Sequence, residues 1–245
     1  MVLVLALSIL IGISLGLLGG GGSILTVPIL AYVGGMSTKA AIASSLFVVG
    51  VTSAVGAISH ARVGRVRWRT GALFGAAGMV GAYAGGRLAA HLPGRLLMIL
   101  FGLMMVATAI AMLQRPRALR PGARDLPVAK VFAEGLVVGI VTGLVGAGGG
   151  FLVVPALVLL GGLPMEAAIG TSLVVIAMKS FAGLAGHLGH VAIDWPVTLG
   201  VTAVAVVGSY HGARLAGRLP PAVLRRGFGG FILAMAALVL AMEVG

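Results

Sequence analysis

The sequence contains no cysteine, which excludes disulfides, thiolate metal sites and a cysteine nucleophile. Carboxylates are almost as scarce. Asp and Glu together number 5 in 245 residues, and no acid, base and nucleophile converge along the chain. The 5 histidines show no His/Glu spacing on a helix, which argues against a metal centre. No glycine run ends in G-K-[ST] or follows a strand, so nucleotide binding fails on context. Neither an enzyme nor a bound cofactor or metal is therefore expected. Charged residues of all kinds make up 9% of the chain, against about 25% in an average soluble domain.

Apolar sequence fills that space. The chain is 60% hydrophobic, with a mean hydropathy of +1.17. Its apolar segments are helical in composition, show little alternation, and are not interrupted by a polar domain. The fold class expected is an all-α integral membrane protein rather than a β-barrel. The net charge of +12 would suggest nucleic acid for a soluble protein. Here the basic residues stand at segment ends and in connections, where they set membrane orientation instead. The first apolar stretch lacks a basic leader and an A-x-A site, so it reads as a retained membrane segment rather than a signal peptide.

Ten apolar segments can be drawn, at 2–18, 23–34, 40–59, 70–90, 96–113, 131–146, 151–163, 167–186, 196–214 and 226–243. Between the fifth and sixth lies QRPRALRPGARDLPVAK, residues 114–130, with three prolines and five basic residues. It divides the chain into a first repeat, 1–113, and a second, 131–245. Sliding the halves by 127 positions aligns Gly16 with Gly143, Pro28 with Pro155, Ser45 with Ser172 and His60 with His187. The register continues through Trp68 and Trp195, Tyr83 and Tyr210, and Arg87 and Arg214. This is a duplication.

Charge tells which way each half points. The connection after the third segment carries Arg62, Arg65, Arg67 and Arg69, whereas its counterpart has no Lys or Arg and contains Asp194. Equivalent loops should then lie on opposite sides, making the halves inverted repeats with a cytoplasmic linker and both termini facing away from the cytoplasm. The second segment of each half, at 12 and 13 residues, reaches about 18–20 Å, short of a hydrocarbon core of roughly 30 Å. The first two segments therefore form a re-entrant hairpin, or one of them crosses while tilted.

At each hairpin the chain reads LLGGGGSILTVP and LVGAGGGFLVVP. Glycine runs cost a helix about 1 kcal/mol per residue against alanine. A helix break at membrane depth is tolerated only where protein or a water-filled cavity satisfies the freed backbone, and such breaks are where transporters bind substrate. The third segment of each half begins AAIASSLFVV or AAIGTSLVVI, placing Ser44, Ser45, Thr171 and Ser172 about one turn inside. These hydroxyls either bond back to their own helix or, with the helix N-termini, help to bind an anion. Lys179, whose partner in register is Thr52, is a charge within an apolar segment and by default a functional residue. With no carboxylate at comparable depth, an anionic substrate is its natural partner. His60 and His187 either cap helices or gate and carry protons. Glycines four apart, as in Gly12/Gly16, Gly71/Gly75, Gly81/Gly85, Gly135/Gly139/Gly143 and Gly208/Gly212, read as helix-packing seams.

The paired glycine elements ending in proline, the A-A-I-[AG]-[ST]-S-L segments and the half-length repeat together resemble the TauE/SafE family of sulfite exporters. The resemblance covers nearly the whole chain outside the linker. It implies a bacterial inner-membrane secondary transporter for small anions such as sulfite or an organosulfonate; with the glycine turns and the hydroxyl-bearing helix starts enclosing the anion, alternating access by rocking of one half against the other is the mechanism expected. Carried over residue by residue, it implies a substrate site at Gly19, Gly20, Gly21, Gly22, Ser23, Ser44 and Ser45, and at Gly146, Gly148, Gly149, Gly150, Thr171 and Ser172. Lys179 joins that site from its own chemistry. An anion channel of the same architecture and a non-transporting scaffold subunit are the alternatives, and homo-oligomerisation is left open by the glycine seams.

Because the chain has no cysteine, topology can be read by single-cysteine labelling. In intact cells a membrane-impermeant maleimide should label Ala192→Cys and leave Arg67→Cys unlabelled until the membrane is opened. Labelling of both from outside would refute the inverted arrangement.

Overall fold

The computed structural model describes residues 2–113, 128–145, 150–188, 191–216 and 218–244, and these are helical apart from short connections. The first half contains α1 (Val2–Leu18), α2 (Gly21–Pro28), α3 (Thr38–Arg62), α4 (Trp68–Ala89) and α5 (Gly94–Leu113). The second contains α6 (Val128–Val145), α7 (Gly150–Pro155), α8 (Met165–His187), α9 (Trp195–Ala216) and α10 (Pro221–Val244). The two halves match element by element in the 127-residue register. Helix α6 starts at Val128, three residues before the apolar segment drawn from the sequence, so that its first turn takes in Lys130. Among the described residues four helices are long and apolar enough, by length and composition, to cross a bilayer: Thr38–Arg62, Gly94–Leu113, Met165–His187 and Ala222–Met242.

The short helices owe their shape to proline. Pro28 and Pro155 lack an N–H, and after each the helix widens into a π-helical turn, Ile29–Val33 and Ala156–Leu160. The amides of Gly34 and Gly161 then bond to the carbonyls of Ile29 and Ala156, at 2.8 and 3.0 Å. Helix α2 folds back along α1, since a Cβ on Gly22 would overlap the Ile11 carbonyl and lie 2.6 Å from Leu15 Cγ. The first two segments therefore form a hairpin whose tip is the glycine run.

Packing exchanges the halves. Helix α1 lies along α9 of the second half and α6 lies along α4 of the first, and these are the two most extensive helix pairs. Glycines make both possible. Gly12 and Gly16 sit on the backbone of Ala205, Ser209 and Ala213, and Gly208 and Gly212 sit on Ile9 and Ile13. In the equivalent seam Gly81 and Gly85 meet Leu136 and Ile140, while Gly139 and Gly143 meet Gly78 and Ala82. A side chain at most of these positions would overlap a neighbouring carbonyl. In lipid, where burial of apolar area no longer drives association, this backbone proximity is what holds helices together.

Helices α3 and α8, the central pair, run antiparallel. Gly183 adjoins Leu46, Gly50 adjoins Phe181, and Gly56 adjoins Leu173. Helices α5 and α10 do the same, with Gly102 against Leu240 and Gly229 against Leu113. Since each of these pairs consists of equivalent helices, their opposite directions are the relation that inversion requires.

Adding bulk to a seam should be far more costly than adding it to a lipid-facing position. Gly81→Val is expected to destabilise the purified protein by about 3 kcal/mol or more through overpacking. Gly230→Val, where a Cβ would meet nothing within 4 Å, should stay within about 0.5 kcal/mol. Equal melting shifts for the two would show that the seams tolerate separation.

Candidate functional site

The glycine run of the first half meets the start of α7. A Cβ on Gly20 would lie 2.6 Å from the Gly150 Cα, so only glycine at position 20 permits this backbone contact. Gly19 adopts φ 68°, a conformation L side chains rarely take, and a Cβ there would come within 2.8 Å of Ser172 Oγ and of the Ile169 Cα. The tip of the first half is thus seated on α8 of the second. Gly21 and Gly22 open helix α2, where the Gly20 N-cap supplies no side-chain cap. Gly146, Gly148 and Gly149 lie outside the described residues.

A helix that ends inside the membrane leaves its last carbonyls without partners. His60, 2% exposed, places Nε2 3.2 Å from the Gly16 carbonyl, and His187, 1% exposed, places Nε2 3.2 Å from the Gly143 carbonyl. Each ring nitrogen must donate, since a carbonyl can only accept. The two histidines therefore cap the broken ends of α1 and α6. The Nδ1 of His60 then carries a lone pair and is buried without a partner among the described residues. Ser172 Oγ lies 2.6 Å from the Gly19 carbonyl and 2.7 Å from that of Ile169, so its one proton is shared between backbone acceptors.

The other hydroxyls divide between the two readings their residue types allow. Ser23 Oγ donates to the Gly20 carbonyl at 2.7 Å, a local bond within α2. Thr171 turns away from the tips and accepts the Arg67 backbone N–H at 2.9 Å, tying α8 to the loop before α4. Ser44 and Ser45 are fully buried, and Ser44 Oγ has no hydrogen-bond partner among the described residues.

Lys179 is 1% exposed near the centre of α8. Its Nζ donates to Thr142 Oγ1 at 3.3 Å, and Thr142 in turn donates to the Gly139 carbonyl at 3.1 Å. Among the described residues no carboxylate pairs with this ammonium, whereas Arg65 pairs with Glu166 at 3.5 Å. The lysine stem runs over Gly78 of α4, where a Cβ would lie 2.8 Å from Lys179 Cγ. In the other half Thr52 replaces Lys179 and Ala205 replaces Gly78. The long side chain and the missing Cβ thus occur together. Thr142 and Gly78 were not singled out from the sequence, although comparing the halves in register exposes the paired exchange. Thr142 carries no such sign, because the Leu15 opposite it is ordinary for a membrane helix.

Among the described residues no group of three or more His, Asp or Glu is placed to hold a metal ion. Around α8 the fold thus places the Gly20–Gly150 contact with Ser172 beside Gly19, and, further along the helix, buried Lys179 on Thr142.

The relatives this chain resembles are described as membrane transporters. The chain is 35% identical over 239 residues to a probable membrane transporter protein of Xylella fastidiosa, covering 94% of this chain and 91% of that one. It is 28% identical to a probable membrane transporter protein of Methanocaldococcus jannaschii, over 91% and 90% of the two chains. It is 26% identical to the probable membrane transporter protein YdhB of Bacillus subtilis, over 91% and 93%. No solved structure matches the chain. The family described as sulfite exporter TauE/SafE matches residues 4–239, nearly the entire length. This multi-pass membrane protein is a transporter by descent, and it belongs to the TauE/SafE family.

Proposed function

We propose that the protein is a secondary carrier for a small anion, sulfite or an organosulfonate, in the bacterial inner membrane. The observation that carries this reading is Lys179, a buried ammonium whose protein partner is a neutral hydroxyl. An isolated charge within a membrane is costly, and a substrate anion is the missing counter-charge. The hairpin tips support the same reading, because the first amides of α2 and the start of α7 come together where the positive ends of helices favour negative charge. The family description, which speaks of sulfite export, makes a sulfur oxyanion the first candidate.

The interleaved fold changes what would move. Rocking one sequence half against the other would part α1 from α9 and α4 from α6, the closest-packed seams in the molecule. The bodies suited to alternating access are instead α1, α3 and α9 on one side and α4, α6 and α8 on the other. Their common boundary is the antiparallel α3–α8 pair. The caps by His60 and His187 join the hairpins to α3 and α8, so these two bonds are where a hairpin would be held or released during gating.

Thermal stabilisation of detergent-purified protein by sulfite, sulfoacetate, taurine and size-matched carboxylates tests the substrate class. A ligand at one hundred times its Kd should add about 2.7 kcal/mol of stability. Lys179→Met should weaken binding at least about tenfold, or about 1.4 kcal/mol, and a Ser45→Ala/Ser172→Ala double variant should weaken it as well. Unchanged binding in Lys179→Met would remove the lysine from the site. In vesicles, counterflow exchange of labelled substrate is expected from a carrier, whereas fast conduction without exchange would mark a channel.

A further inference from the structure

Helices α3 and α8 leave between them, on the lipid-facing wall, an apolar groove of about 530 Å³, within the range of about 300–1,000 Å³ usual for ligand pockets. Ala54, Ala57 and Ala61 of α3 and Val174 of α8 form its sides, and Arg62 and Trp68 stand at one end. The same place in the second half is built differently. There the register puts Phe181, Leu184 and Leu188 for the three alanines and Phe47 for the valine. The Phe181 ring lies over Gly50, where a Cβ would be 3.2 Å from its edge, and Phe47 packs edge-on against Trp195 at 5.3 Å. The protein fills one groove with its own side chains and leaves the other for something else.

The rims differ in the same sense. Arg62 is exposed, and among the described residues it has no acidic partner. Arg67 and Arg69 are exposed nearby, while Arg65 is engaged by Glu166. At the filled groove the register replaces Arg62 with Gly189, Arg65 with Ala192 and Arg67 with Asp194. Trp68, 62% exposed, marks the depth at which amphipathic rings meet the headgroups. An apolar channel ending at uncompensated guanidinium groups matches a molecule with a hydrocarbon chain and an anionic head. Basic residues at a membrane surface attract such heads by about 1 kcal/mol each.

We infer that this groove is a site for an anionic phospholipid of the bilayer, with one acyl chain between α3 and α8 and its phosphate on Arg62. The site lies on the boundary between the two bodies described above, but its existence does not depend on the substrate proposal. A lipid there would take the part that Phe181 and Phe47 play on the other side, sealing α3 against α8.

The two tryptophans allow a direct test. In a Trp195→Phe background, which keeps a ring against Phe47, Trp68 becomes the sole indole. The protein is reconstituted in vesicles with phosphatidylglycerol or phosphatidylcholine brominated on the acyl chains, and quenching of Trp68 is measured at equal mole fractions. Brominated phosphatidylglycerol is expected to associate about three- to tenfold more strongly than brominated phosphatidylcholine. The preference should fall to about one in Arg62→Gln, which alters only an exposed side chain. Ala54→Phe/Val174→Phe, which copies the filled groove, should lower quenching by both lipids. Equal quenching in the parent protein, or a preference that survives Arg62→Gln, would overturn the proposal. So would absence of quenching by either lipid, as expected if a second copy of the chain covers the groove.

Discussion

A helix cannot end in a water-free interior unless its last carbonyls find donors, and α1 and α6 both end among buried residues. The solution is local and used twice: His60 reaches from α3 to the Gly16 carbonyl and His187 from α8 to that of Gly143. Ser172 adds a hydroxyl to the Gly19 carbonyl from the opposite half. Once these bonds are made, the glycine tips can project into the protein, touch at Gly20 and Gly150, and offer helix starts without an acidic side chain in attendance. Most of the architecture follows from the need to bring those donors to those carbonyls.

The second constraint is that apolar surface gains little by leaving lipid, so helices must attract each other through contact distance. Glycine supplies it by letting carbonyls of one helix rest on the backbone of the next. The seams it creates join helices of different halves, α1 with α9 and α4 with α6. Duplication therefore yields two intertwined bodies rather than two adjacent domains. At the α3–α8 boundary, by contrast, side chains rather than backbones make much of the contact, which is why the proposed carrier motion is placed there.

The repeat is broken at two places in the packing. Lys179 over Gly78 corresponds in the register to Thr52 and Ala205, so a long basic side chain appears in one half only. Phe181 over Gly50 faces Ala54 and Ala177, so one groove is filled and its twin is open. In each case a bulky residue is matched by a glycine across the contact. The departures from symmetry are therefore built into the packing and are not isolated substitutions on one helix.

The sequence by itself determined the membrane class, the ten segments, the register of 127 and the opposed charge of equivalent loops. Each of these depends on composition or on order along the chain, and composition and order are what a sequence contains. It also marked Lys179, because a charge in an apolar run is anomalous wherever the run packs. Only the tertiary structure decided which helices the glycine seams join, since a small residue every fourth position fits many partners equally well. It likewise decided that Thr171 ties a loop while Ser172 serves a hairpin tip: adjacent residues on a helix point about 100° apart, and only the neighbours distinguish their roles. The histidines show the same division. Their positions were visible in the repeat, but that each caps a broken helix depends on a carbonyl 44 residues away, brought within 3.2 Å by the fold.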